Sequence, residues 1–333
     1  MTGLRRLAPG FALLLAVGAL GELVGAATPL NSLVVTIALG IALANVAGVP
    51  ASCKPGVATH DLWLEVGIVL MGARIALDSV LAAGVPLLAS VVGVVAFTLV
   101  VAEGFSRRWF GLQRRLGSLL AAGASVCGVS AVVAVAGTVR ADEDQIAYAT
   151  SAILLFDALT LFAYPAVGRL LGLSGQVFGI WAGLSMFSTG PVAAAGFAYS
   201  DAAGQWATLT KLTRNVLLGV VVVAYSVVYT ESDSSATATT LGGTLRRLWR
   251  GFPKFVVGFV SVILLASSGA LSAAEIDALT RASHWLFLAA FAGLGLDIDA
   301  ADLHRTGVRP VTLLFVTLVV VSAVSLVGVQ FLF

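Results

Sequence analysis

Long apolar runs follow one another along almost the whole sequence, and they limit the fold more than any other feature. Runs of about 18–25 apolar residues are long enough to cross a bilayer. Lipid cannot satisfy backbone N–H and C=O groups, so a spanning segment is either a helix or part of a closed barrel, and these runs lack the alternation of barrel strands. Only 11% of the residues are charged, against roughly 25% in soluble domains. The sequence therefore predicts an all-α membrane protein.

About eleven transmembrane helices are predicted within a single transmembrane domain, 1–333. They cover residues 9–27, 31–49, 62–80, 84–103, 116–139, 145–170, 175–199, 206–229, 253–272, 281–297 and 310–332. The first run follows a basic start, as in a secretory signal, but a second run comes at once, so we expect an uncleaved helix. The one long join, 230–252, is Ser/Thr-rich and then basic, and we interpret it as a cytoplasmic linker.

Basic residues set the expected orientation. With the N-terminus inside, fourteen Lys and Arg residues fall on the cytoplasmic side and about three on the other. Because cytoplasmic loops of membrane proteins are enriched in these residues, we expect a multi-pass protein of the cell membrane with a cytoplasmic N-terminus and an external C-terminus.

A weak internal repeat relates two parts of the chain. Residues 64–88 and 286–314 share an apolar helix, a Gly-containing end, an Asp, a hinge and another helix. Under the predicted orientation the two copies run in opposite directions, which is typical of inverted repeats in secondary transporters. We therefore predict an inverted repeat over about 31–103 and 253–332. The alternative is a chance likeness between two apolar hairpins.

Two of the predicted helices carry small polar residues at their centres. The stretch GASVCGVSA, 123–131, contains Ser125, Gly128 and Ser130, and the later stretch STGP contains Ser188 and Thr189 before a proline. Glycine and proline weaken a helix, so both helices are predicted to be interrupted near mid-membrane. A helix N-terminus exposed at a break favours an anion. The alternatives are close helix packing and an ordinary proline kink.

Three of the charged residues inside predicted spans suggest a site. Asp157 is midway along its span, and Lys211 and Arg214 are one helical turn apart near the start of another, followed by Asn215. Ionisable residues inside a membrane usually have a function. We predict that Lys211, Arg214 and Asn215 bind an anion and that Asp157 carries the coupling ion. A structural ion pair and snorkelling to the surface are the alternatives.

These stretches, together with TLTKLTRN and GIVLMGARIAL, resemble the YeiH-type family of sulfate exporters over most of the chain. The resemblance implies an eleven-span inner-membrane transporter and assigns functional roles to Ser125, Cys127, Gly128 and Ser130, and to Lys211, Arg214 and Asn215. Two departures stand out. Phe187, Ser188 and Thr189 occupy the place of a His-Asp-Thr run, and Asp157 occupies the place of an Asn.

The sequence therefore favours a secondary transporter that exports a small anion such as sulfate or a sulfonate, coupled to H⁺ or Na⁺. The alternatives are a cation/proton antiporter that uses Asp157, a passive channel and, least favoured, an intramembrane enzyme, because no histidine lies near the small-residue stretch. No nucleotide-binding motif, metal site or cofactor is expected. The expected partners are the anion, the coupling ion and the bilayer, not nucleic acid, and a homodimer stays open.

Overall fold

The computed structural model describes residues 2–28, 30–75, 77–230, 254–298 and 308–333, and these residues form helices and connecting turns, with no strand among them. Within that part of the chain, five helices are long and apolar enough to cross a membrane: Arg6–Ala27, Ala83–Arg108, Glu143–Leu170, Asp201–Tyr229 and Val308–Leu332. The prediction of a helical membrane protein is confirmed. The predicted linker 230–252 lies almost entirely outside the described residues.

The chain divides into two compact units, and the first boundary between them along the sequence lies inside one long helix. The first unit comprises residues 1–84 and 254–301. Its helices are α1 (Thr2–Ala27), α2 (Ser32–Val46), the short α3 (Lys54–Val57), α4 (His60–Met71), the beginning of α5 (Leu77–Arg108), α13 (Phe255–Ser267) and α14 (Ala273–Asp297).

Glycines allow the helices of this first unit to approach one another closely. On α2 and α14, Gly40 and Gly295 face each other, and a Cβ atom added to either would lie 3.0 Å from the other's Cα. Gly67 of α4 lies against the ring of Phe287 on α14, and the hydroxyl of Ser283 donates a 2.7 Å hydrogen bond to the Gly67 carbonyl. Small residues are a common means of packing helices where lipid offers no hydrophobic driving force.

The second unit comprises residues 85–253 and 302–333 and contains the predicted site. It includes the rest of α5, then α6 (Arg114–Ser125), α7 (Val129–Val139), α8 (Glu143–Leu170), α9 (Gly175–Ser185), α10 (Thr189–Tyr199), α11 (Asp201–Val216), α12 (Leu218–Thr230) and α15 (Val308–Leu332). The predicted interruptions near Gly128 and before Pro191 are confirmed, since α6 gives way to α7 at 126–128 and α9 to α10 at 186–188.

The pair α6 and α7 forms a hairpin instead of one interrupted span. The side chain of Gln145, in the first turn of α8, donates a 2.5 Å hydrogen bond to Gln113, which immediately precedes α6. A Cβ on Gly123 would lie only 3.0 Å from a methyl group of Val132, whereas in a straight helix these residues would be about 13 Å apart along the axis. Entry to α6 and exit from α7 therefore lie at the same end of the unit.

The pair α9 and α10 forms a second hairpin that enters from the opposite end. The rings of Phe178 and Tyr199 stack with centroids 4.0 Å apart, although a straight helix would separate them by about 31 Å. The Tyr199 hydroxyl donates a shared hydrogen bond to the carbonyls of Gly168, in the last turn of α8, and Leu173, just after that helix. Since the first hairpin starts at the N-terminal end of α8, the two hairpins approach each other from opposite ends of that helix.

These hairpins correct the predicted topology. Residues 116–139 and 175–199 are not continuous spanning helices as expected, because each segment turns back on itself at its centre. Each half-helix of 11–12 residues is about 17 Å long, roughly half of a 30 Å hydrocarbon core. Residues 140–145 therefore lie at the same end of the second unit as residues 107–115. Because two crossings are removed together, the expected orientation of the termini is unaffected and stays a prediction, as does the inverted repeat.

A further boundary differs from the prediction. The predicted helix 62–80 ends early, since α4 stops at Met71, a 3₁₀ turn covers Gly72–Arg74, and α5 starts at Leu77. A Cβ on Gly72 would approach the Phe259 carbonyl of α13 to 2.9 Å, so this turn lies where the backbone packs tightly. The sequence marked a Gly-containing end in this stretch but not its position, because apolar residues continue on both sides of the turn.

Candidate functional site

The tips of the two hairpins meet, and this contact places the predicted residues together. Gly128 has φ +65°, a backbone conformation that residues with a side chain rarely adopt. A Cβ atom on Gly128 would overlap the side chain of Ser188, at the tip of the other hairpin. A glycine at this position therefore allows both the turn between α6 and α7 and the close approach of the second hairpin.

Lys211 of α11 bonds to both hairpin tips. Its side chain is fully buried, and its Nζ donates to the carbonyl of Val126 (2.8 Å) in the first tip. In the second tip it donates to the carbonyls of Met186 (2.9 Å) and Phe187. An ammonium group has three donors, so all of them are used here by backbone oxygen.

Arg214, one turn further along α11, is also fully buried and bonds to both tips. Its Nε donates to the Ser125 carbonyl at 2.6 Å, and its Nη2 donates to that of Ala124, both in α6. Its Nη1 donates to the carbonyls of Met186 at 2.8 Å and Gly183 at 3.4 Å.

The physical role of this pair follows from its partners. The last carbonyls of a helix have no partner within it and carry negative partial charge. Lys211 and Arg214 satisfy such carbonyls at the C-terminal ends of α6 and α9. In this conformation the two cations are therefore bound to backbone, and a direct anion contact, as predicted, requires some of these bonds to be exchanged.

Asp157 and Asn215 contact the N-terminal end of α10. Oδ1 of Asp157 accepts the backbone N–H of Ser188 at 3.0 Å, and Nδ2 of Asn215 donates to the Thr189 hydroxyl at 3.1 Å. Both side chains are at least 95% buried. Oδ2 of Asp157 accepts no hydrogen bond from the described residues. A carboxylate at a helix N-terminus is electrostatically favourable, which explains how Asp157 is tolerated here.

The N-terminal ends of α7 and α10 are the accessible part of the cluster. The N-cap residues Gly128 and Ser188 provide no side-chain cap to the helices that follow them. Ser188, Thr189 and Gly190 are half-buried and Ser130 is exposed, in contrast to the fully buried cations. First-turn N–H groups near a surface are a common binding feature for anions.

The structure thus brings together eight of the nine predicted site residues through named contacts, and Ser130 lies next to them on α7. Ser125 contributes its carbonyl, because its hydroxyl donates to Ala122 within α6. Sequence reasoning missed the backbone carbonyls of Ala124, Val126, Gly183, Met186 and Phe187. No side chain signals them, although the small-residue stretches marked both turns.

Comparison with known proteins places the chain in a family. The family model described as "Conserved hypothetical protein 698" matches residues 9–314. The chain belongs to this family. It is similar to a UPF0324 membrane protein of Nitratidesulfovibrio vulgaris, at 32% identity over 84% of this chain and 78% of that protein. A UPF0324 membrane protein of Streptococcus pyogenes serotype M18 is 31% identical over 98% of this chain and 97% of the relative.

Membership of the conserved hypothetical protein 698 family confirms the resemblance to YeiH-type proteins seen in the sequence. A third relative, from Bradyrhizobium diazoefficiens, is 33% identical over 89% of this chain and 83% of its own, and its name also says only that it is a UPF0324 membrane protein. No solved structure matches the chain. The chain is therefore a multi-pass membrane protein of this family. The names of these relatives mention no substrate.

The hairpin topology makes a labelling prediction for this family member. In variants whose two native cysteines are replaced, we expect Arg108→Cys and Glu143→Cys to react with a membrane-impermeant maleimide from the same side. Ser174→Cys and Asp201→Cys are expected to react from the other side only. All four positions are exposed, and the hairpins place them at opposite ends of α8. Labelling of positions 108 and 143 from opposite sides would show that residues 116–139 cross the membrane after all.

Proposed function

We propose that this protein is a secondary transporter of a small anion. The observation that carries the proposal is the meeting of two half-membrane hairpins around a buried cationic pair. Secondary transporters bind anionic groups at interrupted helices whose N-termini converge near the middle of the membrane. They need no pore lined with charged side chains. The anion is a sulfate or an organic anion such as a sulfonate, bound at the N-terminal ends of α7 and α10.

Lys211 and Arg214 favour an anion in two ways. They neutralise the C-terminal ends of α6 and α9, which would otherwise place negative partial charge beside the substrate. They also contribute net positive charge in a low-dielectric environment, where it acts over several ångströms. Ser130, Ser188 and Thr189 add hydroxyl groups at the accessible side, and Asn215 holds the Thr189 hydroxyl in place.

Transport is coupled to H⁺ or Na⁺ through Asp157, the buried carboxylate at this centre. The direction we propose is export, across the cell membrane, with the N-terminus cytoplasmic and the C-terminus outside. We propose no catalytic reaction for the protein and no metal or organic cofactor.

Flux measurements on purified protein in liposomes test this function. We expect saturable uptake or efflux of at least one anion among radiolabelled sulfate, methanesulfonate and a short carboxylate, stimulated by a pH or Na⁺ gradient. Protein-free liposomes are the control. A failure of every anion to exceed the control under every gradient contradicts anion transport, and flux that rises linearly with concentration and ignores gradients indicates a channel.

A cation/proton antiporter is the second candidate, and one observation favours it. The buried Oδ2 of Asp157, free of partners among the described residues, is an oxygen that a cation could bind, with Lys211 nearby to neutralise the empty state. A pH-sensitive dye inside the liposomes separates the candidates. Addition of Na⁺ or K⁺ alone changes the internal pH for an antiporter, whereas an anion transporter responds only when its anion is present.

A further inference from the structure

Asp157 is the carboxylate at the hairpin tips among the described residues, and one of its oxygens has no hydrogen-bond partner, as is also true of the Ser188 hydroxyl and the Asn215 amide oxygen. Oδ1 accepts the Ser188 N–H at 3.0 Å, whereas Oδ2 accepts nothing from the described residues, and the residue is only 3% exposed. A proton can therefore be added at Oδ2 without breaking a hydrogen bond of the described network. Once protonated, the same atom becomes a hydrogen-bond donor, and a bound anion can accept that hydrogen bond. An ionised carboxylate has no hydrogen to donate.

The charge of the centre depends on this one proton. Helix N-termini and C-termini carry about +0.5 and −0.5 elementary charge, so the two N-terminal and two C-terminal ends at the tips cancel. Lys211 and Arg214 then leave about +2, which an ionised Asp157 lowers to about +1. An ionised Asp157 also occupies the N-terminal end of α10, where it repels a second negative group. Protonation removes that repulsion.

The other titratable groups around Asp157 are Lys211 itself, two side chains that are neutral as thiol and phenol, and charges at the ends of the packed helices. Cys127 lies in the first hairpin tip close to Lys211 and Arg214, and Tyr164 lies two turns further along α8. The charged residues of the other elements packed on α8 stand near the element ends, namely Arg114 and Arg115 of α6, Arg140 after α7 and Arg309 of α15. Among the described residues, Asp157 is the carboxylate that hydrogen-bonds to a hairpin tip.

We propose that a proton on Oδ2 of Asp157 and the transported anion bind together, so that the carrier moves both in the same direction. The inference rests on the proposed function and specifies its coupling. Binding linkage is reciprocal: if the proton increases affinity for the anion, the anion increases affinity for the proton by the same factor. An antiporter of the two ions would show the opposite sign, with proton release on anion binding.

This coupling has a consequence for the driving force. Movement of a monovalent anion with one proton is electroneutral, so it responds to the pH gradient and to the anion gradient but not to the membrane potential. A divalent anion with one proton carries one net negative charge, and a potential of 100 mV is worth about 2.3 kcal/mol for one elementary charge. An inside-negative membrane drives that charge outward, so co-movement with a proton is compatible with export of a divalent anion.

Proton uptake on binding can be measured directly by calorimetry. Sulfate and methanesulfonate are titrated into the purified full-length protein in buffers of differing ionisation enthalpy, from mildly acidic to alkaline pH. We expect the wild type to take up a proton, up to one per bound anion, over part of this range. Asp157→Asn, which carries the neutral form permanently, is expected to bind the anion with no proton uptake and with little dependence on pH.

Two further variants keep the test decisive. Glu143→Gln removes an exposed carboxylate of the same helix and is expected to leave proton uptake unchanged. The double variant Asp157→Asn/Ser188→Asp returns a carboxylate on the other side of the same contact and is expected to restore proton uptake. Its recovery also shows that the loss in the single variant is not caused by a folding defect. The inference is overturned, and the proposed function is not, if the wild type binds the anion without proton uptake at every pH, with proton release, or only when Na⁺ is present. If neither the wild type nor any of the variants binds an anion, the proposed function is overturned as well.

Discussion

Lys211→Met and Arg214→Met are each expected to lower the initial rate of anion flux in liposomes by about 100-fold or more. Methionine keeps the length and apolar stem of either side chain but leaves carbonyl groups of both hairpin tips without a donor. Removing one member of a buried charged interaction costs about 3–5 kcal/mol, and about 1.4 kcal/mol corresponds to a factor of ten in an equilibrium. We also expect a lower midpoint of thermal unfolding.

The matched control for these variants is Thr213→Val on the same helix, because the Thr213 hydroxyl donates only to Leu209 within α11. It is expected to retain most of the flux and stability. The exchange Lys211→Arg keeps the charge but not the compact three-donor geometry, so an intermediate rate is expected. Wild-type flux by the double variant Lys211→Ala/Arg214→Ala would show that neither cation takes part in transport.

Gly128→Ala is expected to reduce flux by roughly 10–100-fold, and the cause is the contact between the hairpin tips. The added methyl group meets the Ser188 side chain, and alanine is strained at φ +65°. Backbone strain of this kind costs about 1–3 kcal/mol, and the overlap adds to it. Flux and thermal unfolding measured on the same preparation separate a displaced tip from a protein that no longer folds.

Gly137→Ala is the control for this prediction, since it changes a glycine of the same hairpin with nothing within 4 Å of the new methyl group. In a helix this change is expected to be neutral or stabilising by about 0.5–1 kcal/mol. Adding Ser188→Gly to Gly128→Ala removes the overlap but leaves the strain, so partial recovery is expected. Equal loss of flux at positions 128 and 137 would contradict a special role for the tip.

The helical membrane fold and the composition of the site could be predicted from the sequence because both depend on local chemistry. Apolar length identifies membrane helices, and the residues that weaken a helix identified the turns at Gly128 and Ser188. Lys211, Arg214 and Asp157 stood out because charge is costly in lipid. The structure places them in contact with the two turns, and their binding of an anion stays a prediction.

The reversal of the two hairpins could not be predicted in the same way. An interrupted span and a re-entrant hairpin have the same apolar pattern and the same length, and the direction after the break depends on tertiary packing. Here Gln113 meets Gln145 and Phe178 meets Tyr199. Neither pair has a local sequence signal. The partners of Lys211 and Arg214 were missed for a related reason, since they are carbonyl groups, which every residue has.

The structure also connects the two departures from the family pattern that the sequence analysis noted. Asp157 stands where an Asn is expected and Ser188 where an Asp is expected, and the carboxylate of one accepts the backbone N–H of the other. The sequence positions are 31 residues apart, so their proximity was not visible before the hairpins were known. In this chain the carboxylate of the contact is supplied by α8, at position 157.

The bonds of Lys211 and Arg214 to both tips have a mechanical consequence. Either tip could swing away alone only by breaking several charge-assisted hydrogen bonds inside an apolar environment, where such bonds are strong. A rigid-body displacement of both hairpins together with α11 breaks none of them. The cationic pair therefore holds the two tips together. Exposure of the bound anion to the two sides of the membrane is expected to depend on movement of this rigid body rather than on the opening of a gate.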